Sequence, residues 1–129
     1  MDAAELQGIL ATTNLLHLAQ QPASSLGVGD RKRLEMARAL ATHPSLLLLD
    51  EVIAGLARPD ARAMIELIRT IHRQGITIML IEHNMWAIVE LAGRLIVLHH
   101  GEKIAEGPPS QVVRDPLVIE AYLGKSSTA

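Results

Sequence analysis

Two short apolar runs separated by one helical stretch constrain the fold of this chain more than any other feature of its sequence. Residues 46–49 are four consecutive leucines, and residues 76–81 form a second apolar run that is rich in isoleucine. Runs of this length are typical of strands that are buried on both faces. The stretch between them has a helical period and starts near Pro59, so the segment predicts a β-α-β unit with two parallel strands.

The flanking segments extend this α/β pattern in both directions. The first twenty residues have a loose helical period, and a second helix is expected from an N-cap at Asp30 to about residue 42. Downstream the pattern predicts a helix, a two-stranded hairpin and two short helices, over residues 84–93, 94–98, 103–105, 110–114 and 116–123. The predicted fold class is α/β, with parallel strands, flanking helices and a C-terminal hairpin.

Composition excludes several classes of function. The 129 residues carry 12 Lys and Arg against 14 Asp and Glu, so there is no electrostatic footprint for nucleic acid or for an anionic membrane. The chain has no Cys, which excludes a disulfide scaffold and a thiolate zinc site. No apolar run approaches the roughly 18 residues that span a bilayer, and the acidic first residues are unlike a signal peptide. We therefore expect a cytoplasmic protein with no direct membrane insertion.

Ionisable residues follow both predicted strands, at the edge where a parallel sheet binds ligands. Asp50 and Glu51 come after the first strand, and Glu82 and His83 come after the second. One such pair is unremarkable, because polar residues resume wherever a strand ends, but two pairs at equivalent ends favour a functional site. The remaining histidines have no metal-like spacing with acidic residues, so no metal site is predicted among His17, His43, His72, His99 and His100.

The loop before the second helix is rich in glycine and is followed by basic residues. Gly27 and Gly29 flank Val28, and a glycine loop that leads into a helix offers unpaired backbone N–H groups to an anion. Residues 31–33 are Arg-Lys-Arg and would favour a phosphate or an acidic partner nearby. A tight turn before a solvated basic face explains the same residues, and taken alone the loop favours that structural explanation.

The order of these segments resembles the carboxy-terminal half of an ATP-binding cassette (ABC) ATPase domain. The family's signature loop, signature helix and Walker B strand are similar to LGVGDRKRLEMARALATHPSLLLLDE. Its D-loop resembles AGLARPD, and its switch-histidine segment resembles LIEHNM. The ending, IVLHHGEKIAEGPPSQVVRDPLVIEAYLG, resembles ATP-binding subunits of branched-chain amino acid importers. The resemblance covers residues 3 to 124, nearly the whole chain, and implies a partial P-loop NTPase-like fold.

The resemblance implies a role for each matching residue and two cofactors, ATP and Mg²⁺, in the complete assembly. Asp50 would hold Mg²⁺, Glu51 would polarise the attacking water as general base, and His83 would contact the γ-phosphate. The signature loop of this family caps ATP held by the opposite subunit, and the D-loop lies between subunits. These two loops supply the other implied nucleotide contacts: Leu26, Gly27, Val28, Gly29, Asp30, Gly55 and Leu56.

Several residues depart from the family's usual pattern. Gly27 replaces the serine of the LSGGQ signature, and Asp30 replaces its glutamine. The loop therefore lacks one phosphate donor and gains a negative charge near a negative ligand. Val52 replaces the proline that usually follows the catalytic acid, and Ala57 replaces the usual Asp or Asn of the D-loop. These changes bear on the efficiency of activation between subunits.

The 129 residues also contain no Walker A loop, no glutamine loop and no base-stacking aromatic upstream of the signature. The P-loop supplies most of the phosphate contacts in P-loop NTPases, so the chain alone is expected to bind ATP weakly and not to hydrolyse it. The two apolar strands would then have exposed edges and faces. We therefore predict self-association, strand exchange or a partner chain such as the complementary ATPase half.

The resemblance suggests a helical-subdomain remnant over residues 1–43, the C-terminal part of the ATPase core over residues 44–124, and a frayed tail over residues 125–129. The first functional hypothesis is part of an importer subunit, which would act as a dimer on transmembrane permease subunits at the inner face of the cell membrane. The second is a non-catalytic interaction module that caps or regulates a complete ATPase, and the third is an unrelated α/β enzyme that uses Glu51 and His83 in acid–base chemistry.

Overall fold

The two apolar runs form the neighbouring parallel strands that their pattern predicts. A computed structural model of the chain describes residues 1–123, in which strand β1 spans Leu46–Asp50 and strand β2 spans Thr77–Ile81. Helix α3, Arg58–Arg73, connects the two strands. The last residues of β1 and β2 are partners in the parallel register, so the carboxyl ends of both strands lie side by side. The prediction of a β-α-β unit is confirmed.

Helix α3 provides most of the core of this unit. Pro59 lies in its first turn, where the missing N–H costs no hydrogen bond. Gly75 follows its last turn with φ at +94°, in the left-handed region where a residue without Cβ is favoured. One face of the helix is buried, as its apolar period predicts, and carries Ala61, Met64, Ile65, Leu67, Ile68 and Ile71.

The first helix is shorter than its sequence pattern predicts. Helix α1 covers only Ala3–Thr12, and two short 3₁₀ turns follow it, at Leu16–Leu18 and Ala23–Ser25. The helix ends because Asn14 takes a positive φ of 56°, and the Thr13 hydroxyl donates to a carbonyl of the last turn. The prediction of one helix over the first twenty residues is therefore wrong.

Helix α2 begins earlier than its predicted cap. It spans Val28–Leu40, and its N-cap is Gly27. Asp30 lies inside the first turn, where its Oδ1 accepts a hydrogen bond from Arg33 Nη1 at 2.9 Å. The prediction that Asp30 caps this helix is wrong, because the glycine already has the extended backbone that an N-cap residue needs.

The two faces of the parallel sheet differ in burial. Leu47 and Leu49 are buried, whereas the alternate positions on the other face are exposed: Leu46 at 51%, Leu48 at 65%, Met79 at 56% and Ile81 at 53%. Burial of both faces, the expectation from the apolar runs alone, is therefore wrong. The exposed face agrees instead with the expectation drawn from the missing Walker A half.

A second compact unit starts at Asn84, after a first unit that comprises residues 1–83. It contains a short helix, an antiparallel hairpin and two further short helices: α4 (Met85–Leu91), β3 (Leu95–His99), β4 (Glu102–Gly107), α5 (Pro109–Val112) and α6 (Pro116–Val118). A π-helical turn, Ile119–Leu123, continues α6. His100 and Gly101 both have positive φ, as a two-residue hairpin turn requires. The predicted hairpin and terminal helices are confirmed.

This second unit has a small core of its own. Val97, Val112 and Val118 are buried together, and three half-buried residues pack against them: Leu95, Ile104 and Ala105. Residues 124–129, which include the predicted frayed tail, lie outside the described part of the chain. The predicted boundary between residues 43 and 44 stays a prediction. None of the helices within residues 1–123 is long and apolar enough to cross a bilayer.

Candidate functional site

Glu51 and His83 meet beyond the carboxyl ends of the two parallel strands. The Oε1 atom of Glu51 lies 2.6 Å from Nε2 of His83, within hydrogen-bonding distance. Both side chains are open to solvent, with 46% of the Glu51 side chain and 74% of the His83 side chain exposed. The structure therefore brings the two predicted catalytic residues together at an accessible position, where a ligand can reach either of them.

The backbone of Glu51 continues the strand pairing by one residue. Its N–H donates to the carbonyl oxygen of Ile81 at 2.8 Å. Its φ is +54°, in the left-handed region that residues other than glycine rarely adopt. The chain therefore leaves the sheet at Glu51, and the strained conformation persists only because the surrounding structure holds it.

Asp50 is the last residue of β1 and directly precedes Glu51 in the sequence. Asp50 is exposed to solvent. Among residues 1–123, no group of three or more His, Cys, Asp or Glu side chains could hold a metal ion. Magnesium commonly takes only one or two protein carboxylates and completes its shell with waters and substrate phosphates. A single exposed carboxylate therefore fits Mg²⁺ that arrives with a nucleotide, and not a metal site made by protein ligands alone.

A separate cavity of about 430 Å³ is lined by residues of the predicted signature loop and D-loop. All of them except Leu26 line it, and the full lining comprises Gly27, Val28, Gly29, Asp30, Arg33, Gly55, Leu56, Ala57 and Asp60. Neither Glu51 nor His83 is part of this lining. Within one chain, the structure therefore gathers the predicted residues into two places, the strand-end pair and this cavity.

The cavity is suited to an anion through its backbone and less through its side chains. The N-cap residues of two helices, Gly27 of α2 and Ala57 of α3, both line it, and helix N-termini carry positive partial charge. Arg33 is engaged by the carboxylate of Asp30, and Asp60 adds a second negative charge. The residues present therefore fit a phosphate group held mainly by backbone N–H groups.

Two residues near Glu51 make backbone contacts that the sequence pattern does not predict. The Nζ atom of Lys32 donates to the carbonyl oxygens of Glu51, at 3.3 Å, and of Ala54. The Oε1 atom of Glu82 accepts a hydrogen bond from the backbone N–H of Ile53 at 2.8 Å. In the sequence, Lys32 is indistinguishable from a residue of a solvated basic face. For Glu82, the only indication of a functional role is its position at the end of a strand.

Two family models match separate parts of the chain. The model for the ABC transporter family matches residues 1–54, and the model for the branched-chain amino acid ATP-binding cassette transporter matches residues 102–127. The second match covers the ending whose sequence resembles importer subunits. Both matches agree with the resemblance found in the sequence motifs.

Curated relatives are similar along most of the chain. The high-affinity branched-chain amino acid transport ATP-binding protein LivG of Escherichia coli K12 is 40% identical over 118 residues, which cover 91% of this chain and 46% of LivG. The corresponding protein BraF of Pseudomonas aeruginosa is 38% identical over 120 residues, with the same coverage of both chains. The chain thus spans about half the length of the curated relatives it matches.

Solved structures agree with the sequence relatives. The ADP conformation of MJ1267, an ATP-binding cassette of an ABC transporter, superposes with a TM-score of 0.86 at 34% identity and is matched over 94% of this chain and 49% of its own. A nucleotide-free ATP-binding cassette from an ABC transporter gives a TM-score of 0.85 at 32% identity, over 92% and 49% of the two chains. The family models, the sequence relatives and the solved structures all relate the chain to the ATP-binding cassette ATPases, and branched-chain amino acid transport ATPases are among its relatives.

Proposed function

We propose that this chain is the Walker B, signature and switch-histidine part of the ATP-binding subunit of an importer for branched-chain amino acids. The similarity to LivG and BraF supports the transport role. The observation that carries the catalytic role is the contact between Glu51 and His83 at the carboxyl ends of two parallel strands. Phosphoryl transfer depends on alignment of the nucleophile and on charge stabilisation, and an exposed carboxylate and imidazole can contribute to both.

In the proposed mechanism, Glu51 orients the water that attacks the γ-phosphate and accepts its proton. In the structure His83 donates to Glu51, and an imidazole engaged in this way can transfer its hydrogen bond to a phosphate oxygen. Contact between His83 and the γ-phosphate would release the carboxylate of Glu51 for the water. In this proposal, the two residues exchange partners when substrate arrives.

Charge at the phosphates would be balanced from several sides. Bound Mg²⁺ supplies positive charge against the phosphate oxygens. We propose that Asp50 holds this ion. The cavity lined by Gly27 and Gly55 would cap a nucleotide bound to the opposite subunit, chiefly through backbone N–H groups at the starts of α2 and α3.

The proposed partner within the ATPase is a Walker A-containing half of the same fold. The exposed apolar side chains of β1 and β2 include Leu48 and Met79. An apolar face of this kind is normally covered by another part of the protein or by a partner. Covering it is favourable by about 25 cal/mol per Å² of apolar surface removed from water. Transmembrane permease subunits are the proposed partners of the assembled ATPase, which would then be peripheral at the inner face of the cell membrane.

Complementation tests this proposal. The 129-residue chain is purified alone and together with a separately expressed Walker A-containing segment of LivG, and ATP hydrolysis is measured for both samples. We expect no turnover for the chain alone, because its sequence has no Walker A motif, and turnover for this reconstituted pair. Glu51→Gln should abolish the turnover, whereas Glu35→Gln, an exposed carboxylate on α2, should not.

The same experiment distinguishes the non-catalytic alternative. That alternative is favoured by the absent Walker A motif and by the altered signature, in which Asp30 replaces glutamine. An interaction module would bind a complete ATPase and change its rate equally well with Glu51 or with Gln at this position. Hydrolysis that is insensitive to Glu51→Gln in the reconstituted pair contradicts the proposed catalytic role.

A further inference from the structure

The segment between β1 and the D-loop has no regular secondary structure, and side chains from two other elements hold it. Lys32, on helix α2, donates through Nζ to the carbonyl oxygens of Glu51 and Ala54. Glu82, which directly follows β2, accepts the N–H of Ile53 at 2.8 Å. The N–H of Ile53 is partly buried, and a backbone group that water does not fully reach needs such a partner. Residues 51–54 are therefore fixed by one cation and one carboxylate.

This segment needs external support because of its backbone conformation. Glu51 has a φ of +54°, which costs free energy for a residue with a Cβ and relaxes unless its neighbours prevent it. Ile53, two residues later, is only 2% exposed and anchors the segment in the core. Between these two points, Lys32 binds the carbonyl that directly follows the strained Cα of Glu51.

The carboxylate of Glu82 has one oxygen that lowers the stability of the fold. A role in positioning the neighbouring backbone would explain why an acid is found here. Its Oε2 atom is buried and has no hydrogen-bond partner in the described part of the chain. A buried oxygen without a partner is destabilising, whereas an apolar side chain at this position would carry no such penalty. What the acid gains is the bond from Oε1 to the Ile53 N–H, which is charge-assisted and therefore stronger than a neutral one.

We infer that Lys32 and Glu82 are positioning residues, which hold the backbone of residues 51–54 so that the Glu51 carboxylate stays aligned for its reaction. This inference rests on the proposed catalytic role of Glu51. Lys32 belongs to the helix that begins at the signature loop, so its bonds also connect that helix to the segment carrying the proposed general base. Lysine suits this task because one ammonium group offers three donors to several carbonyl oxygens.

The first test measures the geometry without ATP, on the labelled 129-residue chain by NMR. Lys32→Met should shift the carbonyl carbon signals of Glu51 and Ala54, and Glu82→Ala should accelerate hydrogen exchange of the Ile53 amide about tenfold. Lys32→Arg and Glu82→Gln keep a donor and an acceptor, so both should restore the wild-type values. Arg38→Met removes a cation from the exposed side of the same helix and should change none of these signals.

The second test measures turnover in the reconstituted pair. Lys32→Met and Glu82→Ala should each lower kcat about tenfold and leave KM within about twofold, because alignment is lost and nucleotide contacts are kept. Lys32→Arg and Glu82→Gln should recover most of kcat, which a general loss of stability would not predict. Unchanged kcat in Lys32→Met, or equal losses for Lys32→Arg and Lys32→Met, would overturn the inference.

The two tests fail separately. If the wild-type pair does not hydrolyse ATP, the proposed function is wrong, and the NMR signals still decide whether Lys32 and Glu82 hold residues 51–54. If the pair is active but the carbonyl signals of Glu51 and Ala54 do not respond to Lys32→Met, the positioning inference is overturned and the proposed function stands. Variants that do not fold are replaced by Lys32→Arg and Glu82→Gln, whose signals must then match the wild type.

Discussion

The strand-end segment and the signature-loop cavity belong to the same compact unit but are built in different ways. At the strand end, the Glu51 side chain meets His83, and bonds from Lys32 and Glu82 hold the backbone around it. In the cavity, the lining is mostly loop backbone at the starts of two helices, with one ion pair between Asp30 and Arg33. The geometry of the first region is held by side chains of this chain. The second region presents backbone N–H donors that can bind a ligand from outside the chain.

The two regions therefore differ in how far they depend on partners. A site held by its own side chains keeps its geometry in isolation, so substitutions there should change chemistry more than association. A cavity that presents N–H groups acts only when a ligand is delivered to it, so substitutions there should change association more than chemistry.

Glu51→Gln should separate the two regions most clearly. In the reconstituted pair we expect a loss of at least about 100-fold in kcat, because a positioned general base commonly contributes that much. Nucleotide-dependent association, measured by light scattering with Mg·ATP, should persist. A comparable loss of turnover and association would show that the strand-end segment and the cavity are not independent.

The two faces of the β1–β2 sheet provide the next test. Leu47 is buried and Leu48 is exposed, so Leu47→Ala should destabilise the chain by about 2–5 kcal/mol in urea unfolding, from lost burial and a cavity. Leu48→Glu should change that free energy by about 0.5 kcal/mol or less, as surface substitutions do, yet weaken association with the Walker A-containing segment. Unaltered association of Leu48→Glu would mean that this face is not the docking surface.

A smaller effect is expected from the charge in the cavity. Asp30→Asn removes one negative charge and weakens the ion pair with Arg33, so the guanidinium becomes available to a phosphate. A phosphate should therefore bind more tightly. We expect nucleotide-dependent association to strengthen about fivefold, in line with the modest energies of partly exposed charges. Glu35→Gln on the same helix is the matched control, since its carboxylate pairs only with the exposed Arg38 among the described ion pairs. Equal effects of both variants would point to net charge alone.

The smallest effect is expected at Gly27. Its φ of −72° and the open space around its Cα allow a serine, which would restore the hydroxyl of the usual signature. One new hydrogen bond to phosphate should strengthen association about threefold, and the serine should also cap α2 slightly better than glycine does. Gly27→Ala adds the Cβ without the hydroxyl, so it should not reproduce the gain.

Sequence patterns predict the parallel strands and the meeting of Glu51 with His83 because both follow from local periodicity and from one rule about parallel sheets. They do not predict the end of α1 at Thr12, which depends on a positive φ at Asn14. The N-cap at Gly27 is missed for a different reason, since the acidic Asp30 nearby matches the usual cap preference better.

The supports of the Glu51 segment are also beyond local patterns. Lys32 is 19 residues from Glu51 and 22 from Ala54, and Glu82 is 29 residues from Ile53. Contacts of this kind depend on how helix and sheet pack, and nothing in residues 31–33 separates Lys32 from its arginine neighbours. The roles assigned to Asp50, Glu51, His83 and the two loops stay predictions until they are measured.

A calorimetric titration with Mg·ATP shows whether this chain needs a Walker A-containing half to bind ATP. We expect no binding by the 129-residue chain alone up to millimolar ATP, and clear binding by the reconstituted pair. Binding to the chain alone with a Kd below about 100 μM, or roughly −5.5 kcal/mol, would contradict this expectation, because a complete phosphate site would then exist within these residues.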